Sequence, residues 1–204
     1  MRAVFLTVLL LTVMATPVVA EDRYGFVQVE RLEYRESSGS TLWDMQGWYG
    51  DDLNKLWIKT EGELEGGSTH GAELQVLYSR AWSAYFDLQF GLRYQDLSIG
   101  DAVSLVAGVQ GMAPYRIEID AAAFVSDDGE LSLRAEFERD FLLSEKWVFQ
   151  PRAEFELDSG SDDEFALDLR LRYEFTRKFA PYFGASYESE PDDTTLVVGL
   201  RFWF

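Results

Sequence analysis

The chain has 204 residues, no cysteine, and 36 acidic against 18 basic side chains, giving a formal charge of −18 with 47% hydrophobic and 15% aromatic residues. The lack of cysteine excludes a disulfide framework and a thiolate metal site. The acidity argues against nucleic acid or an anionic lipid surface as partner and favours cations.

Met1-Arg2, the apolar run Ala3–Val13 and the small or apolar residues of Thr16–Ala20 read as a secretory signal peptide over 1–20. The domain that follows is expected over 21–204, with no later apolar run of about 18 residues to serve as a spanning helix. Tyr24–Glu36, Leu42–Tyr49 and Leu53–Glu65 are irregular extended segments, and Glu30-Arg31 marks a slip of phase or a bulge in the first. From Glu73 onward the alternation is regular. Leu74, Val76 and Tyr78 face one way and Glu73 and Gln75 the other; Phe86, Leu88, Phe90 and Leu92 oppose Asp87, Gln89 and Arg93. The pattern continues through 103–109, 117–123, 147–156 and 165–175. It closes on Leu196–Phe204, where Leu196, Val198, Leu200, Phe202 and Phe204 share a face opposite Val197, Gly199, Arg201 and Trp203.

This amounts to about twelve strands, or about ten if the irregular first third is over-read. Odd-numbered connections (Ser37–Ser40, Gly66–His70, Ser98–Asp101, Ser126–Gly129, Ser159–Asp163, Glu190–Asp193) read as longer acidic external loops. Even-numbered ones (Gly50–Asp52, Ser83-Ala84, Pro114, Ser144-Glu145, Arg177-Lys178) read as short periplasmic turns. A single all-β antiparallel transmembrane barrel in the bacterial outer membrane fits this parity, the aromatic segment ends and the terminal Phe204. A soluble sandwich or lipocalin-like barrel would show the same alternation with the apolar face turned inward, and alternation alone does not separate the two.

In a membrane barrel the polar positions line the lumen. Asp44, Glu61, Asp87, Glu118 and Asp120 belong to that face, where carboxylates outnumber arginines and bias the interior toward cations. Pairing of arginines with carboxylates accounts for much of the remaining charge. Acidic loop residues such as Asp127, Asp128, Asp162 and Asp163 would ring the outer mouth or bind divalent ions bridging lipopolysaccharide. No enzyme is expected: the one histidine, His70, sits in a Gly/Ser/Thr stretch that reads as an exposed loop. A Gly-x-Ser-x-Gly elbow is also lacking.

The stretches Trp43–Gly50, Asn54–Glu63, Ala72–Ala81, Asp87–Tyr94, Gly108–Tyr115, Gln150–Glu154, Phe179–Tyr182 and Val198–Phe204 resemble, in order and spacing, the copper resistance protein B family. The resemblance implies an outer-membrane barrel in copper handling and resistance. Its partners would be copper ions, bound weakly or transported rather than held as a catalytic cofactor, and periplasmic copper-handling proteins. Many family members carry a Met- and His-rich segment before the barrel; here the first strand follows the expected signal peptide almost directly. Beyond residue 20 only Met45, Met112 and His70 supply thioether or imidazole, and Met45 falls on the outward face. The candidate weak copper ligands are therefore Asp44, Glu61, Asp87, Glu118, Asp120, Met112 and His70.

Overall fold

The computed structural model describes residues 23–97, 100–159, 162–190 and 192–204. The expected signal peptide over 1–20 and its boundary lie outside the described residues, as do positions 98–99, 160–161 and 191 of three connections.

The strands are β1 Tyr24–Arg35, β2 Ser40–Gly50, β3 Asn54–Glu65, β4 Ser68–Ala81, β5 Phe86–Leu97, β6 Gly100–Ala113 and β7 Ile117–Ser126. They continue as β8 Leu131–Glu138, β9 Phe141–Leu142, β10 Trp147–Asp158, β11 Glu164–Tyr173, β12 Phe179–Ser189 and β13 Asp192–Trp203. Neighbours pair antiparallel, and β1 pairs with β13, so the sheet closes on itself. β8 and β9 form one stave: both pair with β10 in a single register, Glu138 opposite Arg152 and Phe141 opposite Phe149. The gap falls opposite Pro151, whose carbonyl accepts from the Arg139 N–H but which has no N–H to return. The barrel thus has twelve staves, the larger of the two expected numbers.

The direction of the faces excludes a soluble barrel. In β5, Gln89 and Arg93 are 2% and 5% exposed, whereas Phe90 and Leu92 are 51% and 53% exposed. In β4, Glu73, Gln75 and Ser79 are buried while Leu74, Val76 and Tyr78 are exposed; in β13, Thr195 and Val197 are buried while Leu196 and Val198 are exposed. Charge inside and an apolar band outside, on strands of mostly ten to fourteen residues, is stable only when lipid covers the band.

Two bulges tune what enters the lumen. The expected slip at Glu30-Arg31 is present: the register of β1 against both neighbours shifts just after Val29. As a result, Glu30 and Arg31 both reach the interior; Glu30 lines one cavity and Arg31 the other. In β4 the register jumps from Glu61 opposite Glu73 to Glu63 opposite His70, leaving one extra residue in β4. Gly71 sits there with φ of 58°, a left-handed conformation that glycine adopts without a Cβ penalty.

The rims correct one expectation. The odd connections are no longer than the even ones. Gly66-Gly67 alone joins β3 to β4, because Ser68, Thr69 and His70 continue the ladder opposite Glu65, Leu64 and Glu63. Asp192 and Asp193 likewise pair with Ser189 and Glu188. Polar residues at these strand ends lie beyond the apolar band, so their polarity marks depth rather than a loop. On the even rim, residues 82–85 and 174–178 make turns wider than the dipeptides expected there. Side-chain oxygens hold several of them: Asp51 Oδ1 accepts the N–H groups of Leu53 and Asn54 at 2.8 and 2.7 Å, and Ser83 Oγ those of Tyr85 and Phe86 at 3.2 and 3.0 Å. Those backbone N–H groups hold the Asp51 carboxyl below the usual carboxylate range.

Candidate functional site: a divided, charged lumen

Because each stave sends every second side chain inward, residues far apart in sequence meet across the barrel. Two kinds of wall result. Over β3 to β7, Trp57, Leu77, Val106 and Phe124 form a buried apolar cluster inside the lumen, with Trp48 of β2 and Ala122 against it. Lys55 and Lys59 rise over the rings of Trp48 and Trp57, at 5.5 and 5.8 Å from the centroids. Over β10, β11 and β1 the wall is ionic instead. Arg152 binds Asp168 at 2.9 Å and Glu136 and Glu154 at 2.6 Å; Arg170 binds Asp168 at 3.3 Å and Glu33 at 3.0 Å. Tyr182 of β12 adds a hydroxyl donated to Glu33 at 3.1 Å, and its ring lies over Gly199, where a Cβ would come within 2.3 Å.

Arg134 of β8 joins the walls. Its guanidinium is 2.6 Å from Glu61 of β3, 3.3 Å from Glu73 of β4, 3.6 Å from Glu154 and 3.3 Å from Glu156 of β10. Arg93 continues the belt, 3.6 Å from Glu73 and stacked 3.7 Å over Phe124. This waist divides the lumen. A cavity of about 640 Å³ lies toward the even-turn rim, and one of about 420 Å³ toward the odd rim. Glu61 and Glu154 line both.

Six of the seven candidate residues line the larger cavity: Asp44, Glu61, Asp87, Glu118, Asp120 and Met112. His70 does not join them. It lies in β4 rather than in a loop, a correction to the sequence reading, and lines the smaller cavity beside Glu63. The extra residue at Gly71 puts His70 in phase with the inward Glu63, which alternation carried back from Glu73 would not do. Four of the acids are already paired: Asp44 with Arg31 at 2.9 Å, Glu61 with Arg134, Asp87 with Lys55 at 2.7 Å, and Asp120 with Lys59. Glu118 has no ion pair among the described residues. It lies between Met112 and Glu138 on adjacent strands, with Gln110, Asp120 and Glu136 forming the next row inward. Among the described residues, no three His, Asp or Glu groups converge tightly enough to hold a metal ion.

The sequence reading overlooked Lys55 and Lys59, the cations that neutralise Asp87 and Asp120. Their alternation with Leu56 and Ile58 is the signal that would have found them. Arg134 escapes it too, because spacing carries no mark of a contact with Glu61 across 73 residues.

The comparisons with known proteins agree with this architecture. A family model described as copper resistance protein B precursor matches residues 23–204. A copper resistance protein B homolog of Pseudomonas syringae pv. tomato is 36% identical over 88% of this chain and 70% of its own length. Copper resistance protein B of Escherichia coli is 34% identical over 87% and 69%. Among solved structures, the KdgM and NanC porins superpose with TM-scores of 0.59 and 0.60, each over 88% of this chain and 99% of theirs, at 13% and 12% identity. At that identity the likeness is one of fold: a closed outer-membrane barrel. The chain belongs to the copper resistance protein B family.

Proposed function

We propose that this barrel serves copper resistance in the bacterial outer membrane by binding copper ions weakly in its acidic lumen and letting them permeate. The observation that carries this reading is the lining of the larger cavity, where ten carboxylates face three basic side chains. Such an excess concentrates cations in a low-dielectric channel. Within it, the thioether of Met112 beside the carboxylate of Glu118 offers the one soft donor next to an acid without an ion pair. This is a donor set for transient contact rather than a closed site. The apolar girdle meets outer-membrane lipid, the even-turn rim faces the periplasm and its copper-handling proteins, and the acidic odd rim faces lipopolysaccharide and the exterior.

Copper influx into liposomes carrying the purified protein tests the reading. Cu(II) entry faster than into protein-free vesicles, slowed by Glu118→Gln, is the expected result. Entry at the protein-free rate would overturn permeation and leave a structural barrel, the role that a lumen crossed by ion pairs would otherwise suggest. Raised copper sensitivity in cells lacking the gene is expected in parallel.

A further inference from the structure

Between the two cavities the lumen is crossed at one level. Glu61 and Glu154 line both cavities, so a cation passing from one to the other moves along their carboxylates. The guanidinium of Arg134 already occupies that position, held by Glu61 of β3 at 2.6 Å and Glu73 of β4 at 3.3 Å on one side and by Glu154 at 3.6 Å and Glu156 at 3.3 Å on the β10 wall. Its neighbours in the belt are more enclosed. Arg152 is locked on Asp168, itself 2% exposed, and Arg93 is stacked on Phe124 and 5% exposed. Arg134 is the more accessible guanidinium, with 17% of its side chain exposed, and its link to Glu61 is the contact that spans from β8 to β3.

We infer that Arg134 is the gate of this lumen: a tethered cation that blocks the carboxylate pair Glu61–Glu154 and that a permeating divalent cation must displace. The inference deepens the permeation reading and rests on it for the identity of the cation. The gate itself is a statement about any cation. A bound guanidinium neutralises the carboxylates that would attract a mobile ion and fills the space between them, so the waist resists anions and weakly attracted monovalent cations. A divalent cation has twice the charge with which to compete for the same oxygens. Removing the guanidinium leaves Glu61, Glu73, Glu154 and Glu156 facing an open passage, which becomes strongly cation-selective.

The experiment is single-channel conductance of the full barrel in planar bilayers bathed in KCl, paired with Cu(II) influx into liposomes. For Arg134→Gln, K⁺ conductance should rise about threefold or more with a higher cation-to-anion permeability ratio, because carboxylates then line the waist without the guanidinium. Glu61→Gln loosens the same guanidinium without removing it and should give a smaller rise without the gain in selectivity. It also serves if Arg134→Gln fails to show the gel shift of a folded barrel. Wild-type K⁺ conductance in folded Arg134→Gln, or in Glu61→Gln where it is the variant available, would overturn the gate. If K⁺ conductance rises as expected while Cu(II) crosses neither wild type nor variant, the gate stands and the copper reading fails. If Cu(II) crosses wild type and Arg134→Gln equally and K⁺ conductance is unchanged, the copper reading stands and the gate fails.

Discussion

The two walls of the lumen solve one problem in opposite ways. Both must fill a barrel interior with side chains that a lipid-facing exterior cannot take. The β3 to β7 wall does so with Trp57, Leu77, Val106 and Phe124, an apolar plug that leaves its polar neighbours, Lys59, Asp120 and Glu118, beside an open cavity. The wall of β10, β11 and β1 uses charges that satisfy one another, from Glu136 through Arg152, Asp168 and Arg170 to Glu33. Function can reside more readily on the first wall than on the second. Groups in a closed ion-pair lattice are expensive to disturb, whereas singly paired or unpaired acids beside a cavity can exchange partners with little loss.

Substitutions test this contrast. The largest effect is expected for Asp168→Ala, which removes the buried carboxylate shared by Arg152 and Arg170, leaving only Glu136 and Glu154 to the first and Glu33 to the second, and should cost about 3–5 kcal/mol in urea unfolding from lipid. A loss no greater than that of a surface acid would mean that water solvates this wall and that the contrast is false. Leu77→Ala, 1% exposed in the apolar plug, should cost about 2–4 kcal/mol by the same assay and leave the arginine lattice intact. Gly199→Ala drives a methyl into the Tyr182 ring and should cost about 1–3 kcal/mol; the added variant Tyr182→Phe, which keeps the ring, should not relieve it. Lys59→Gln should barely change stability, since Lys59 and Asp120 are both partly exposed, but should raise Cu(II) influx by freeing Asp120. Smallest of all, Asp51→Ala should lower stability slightly at neutral pH. Its depressed pKa means that this contribution is present above the ordinary carboxylate pKa and fades as acid protonates the folded-state group.

Much of the barrel was legible because a strand has period two and a membrane reverses the usual sense of burial. Leu74, Val76 and Tyr78 against Glu73 and Gln75 already state the two faces of β4, and Glu30-Arg31 already marks the bulge of β1. Loop length was misread where polarity stood in for irregularity: Ser68, Thr69 and His70 are polar because they sit above the apolar band, yet they remain in the ladder. The same misreading took His70 for a loop residue, since the extra residue at Gly71 shows itself only in the pairing of β3 with β4. Of the candidate site, the five acids were visible as polar-face positions. The pairing of four of them with Arg31, Arg134, Lys55 and Lys59 was not, because ion pairs form across staves whose separation in the chain has no period.

Alternation, composition and family resemblance were enough for an antiparallel barrel of about ten or twelve staves with acids on one face, since strand geometry turns sequence spacing directly into facing. The inward direction of the charged face, the division of the lumen at Arg134 and the partners of each acid follow from closure of the barrel. Those outcomes depend on distances across the barrel, and closing the sheet from β13 to β1 is what sets those distances.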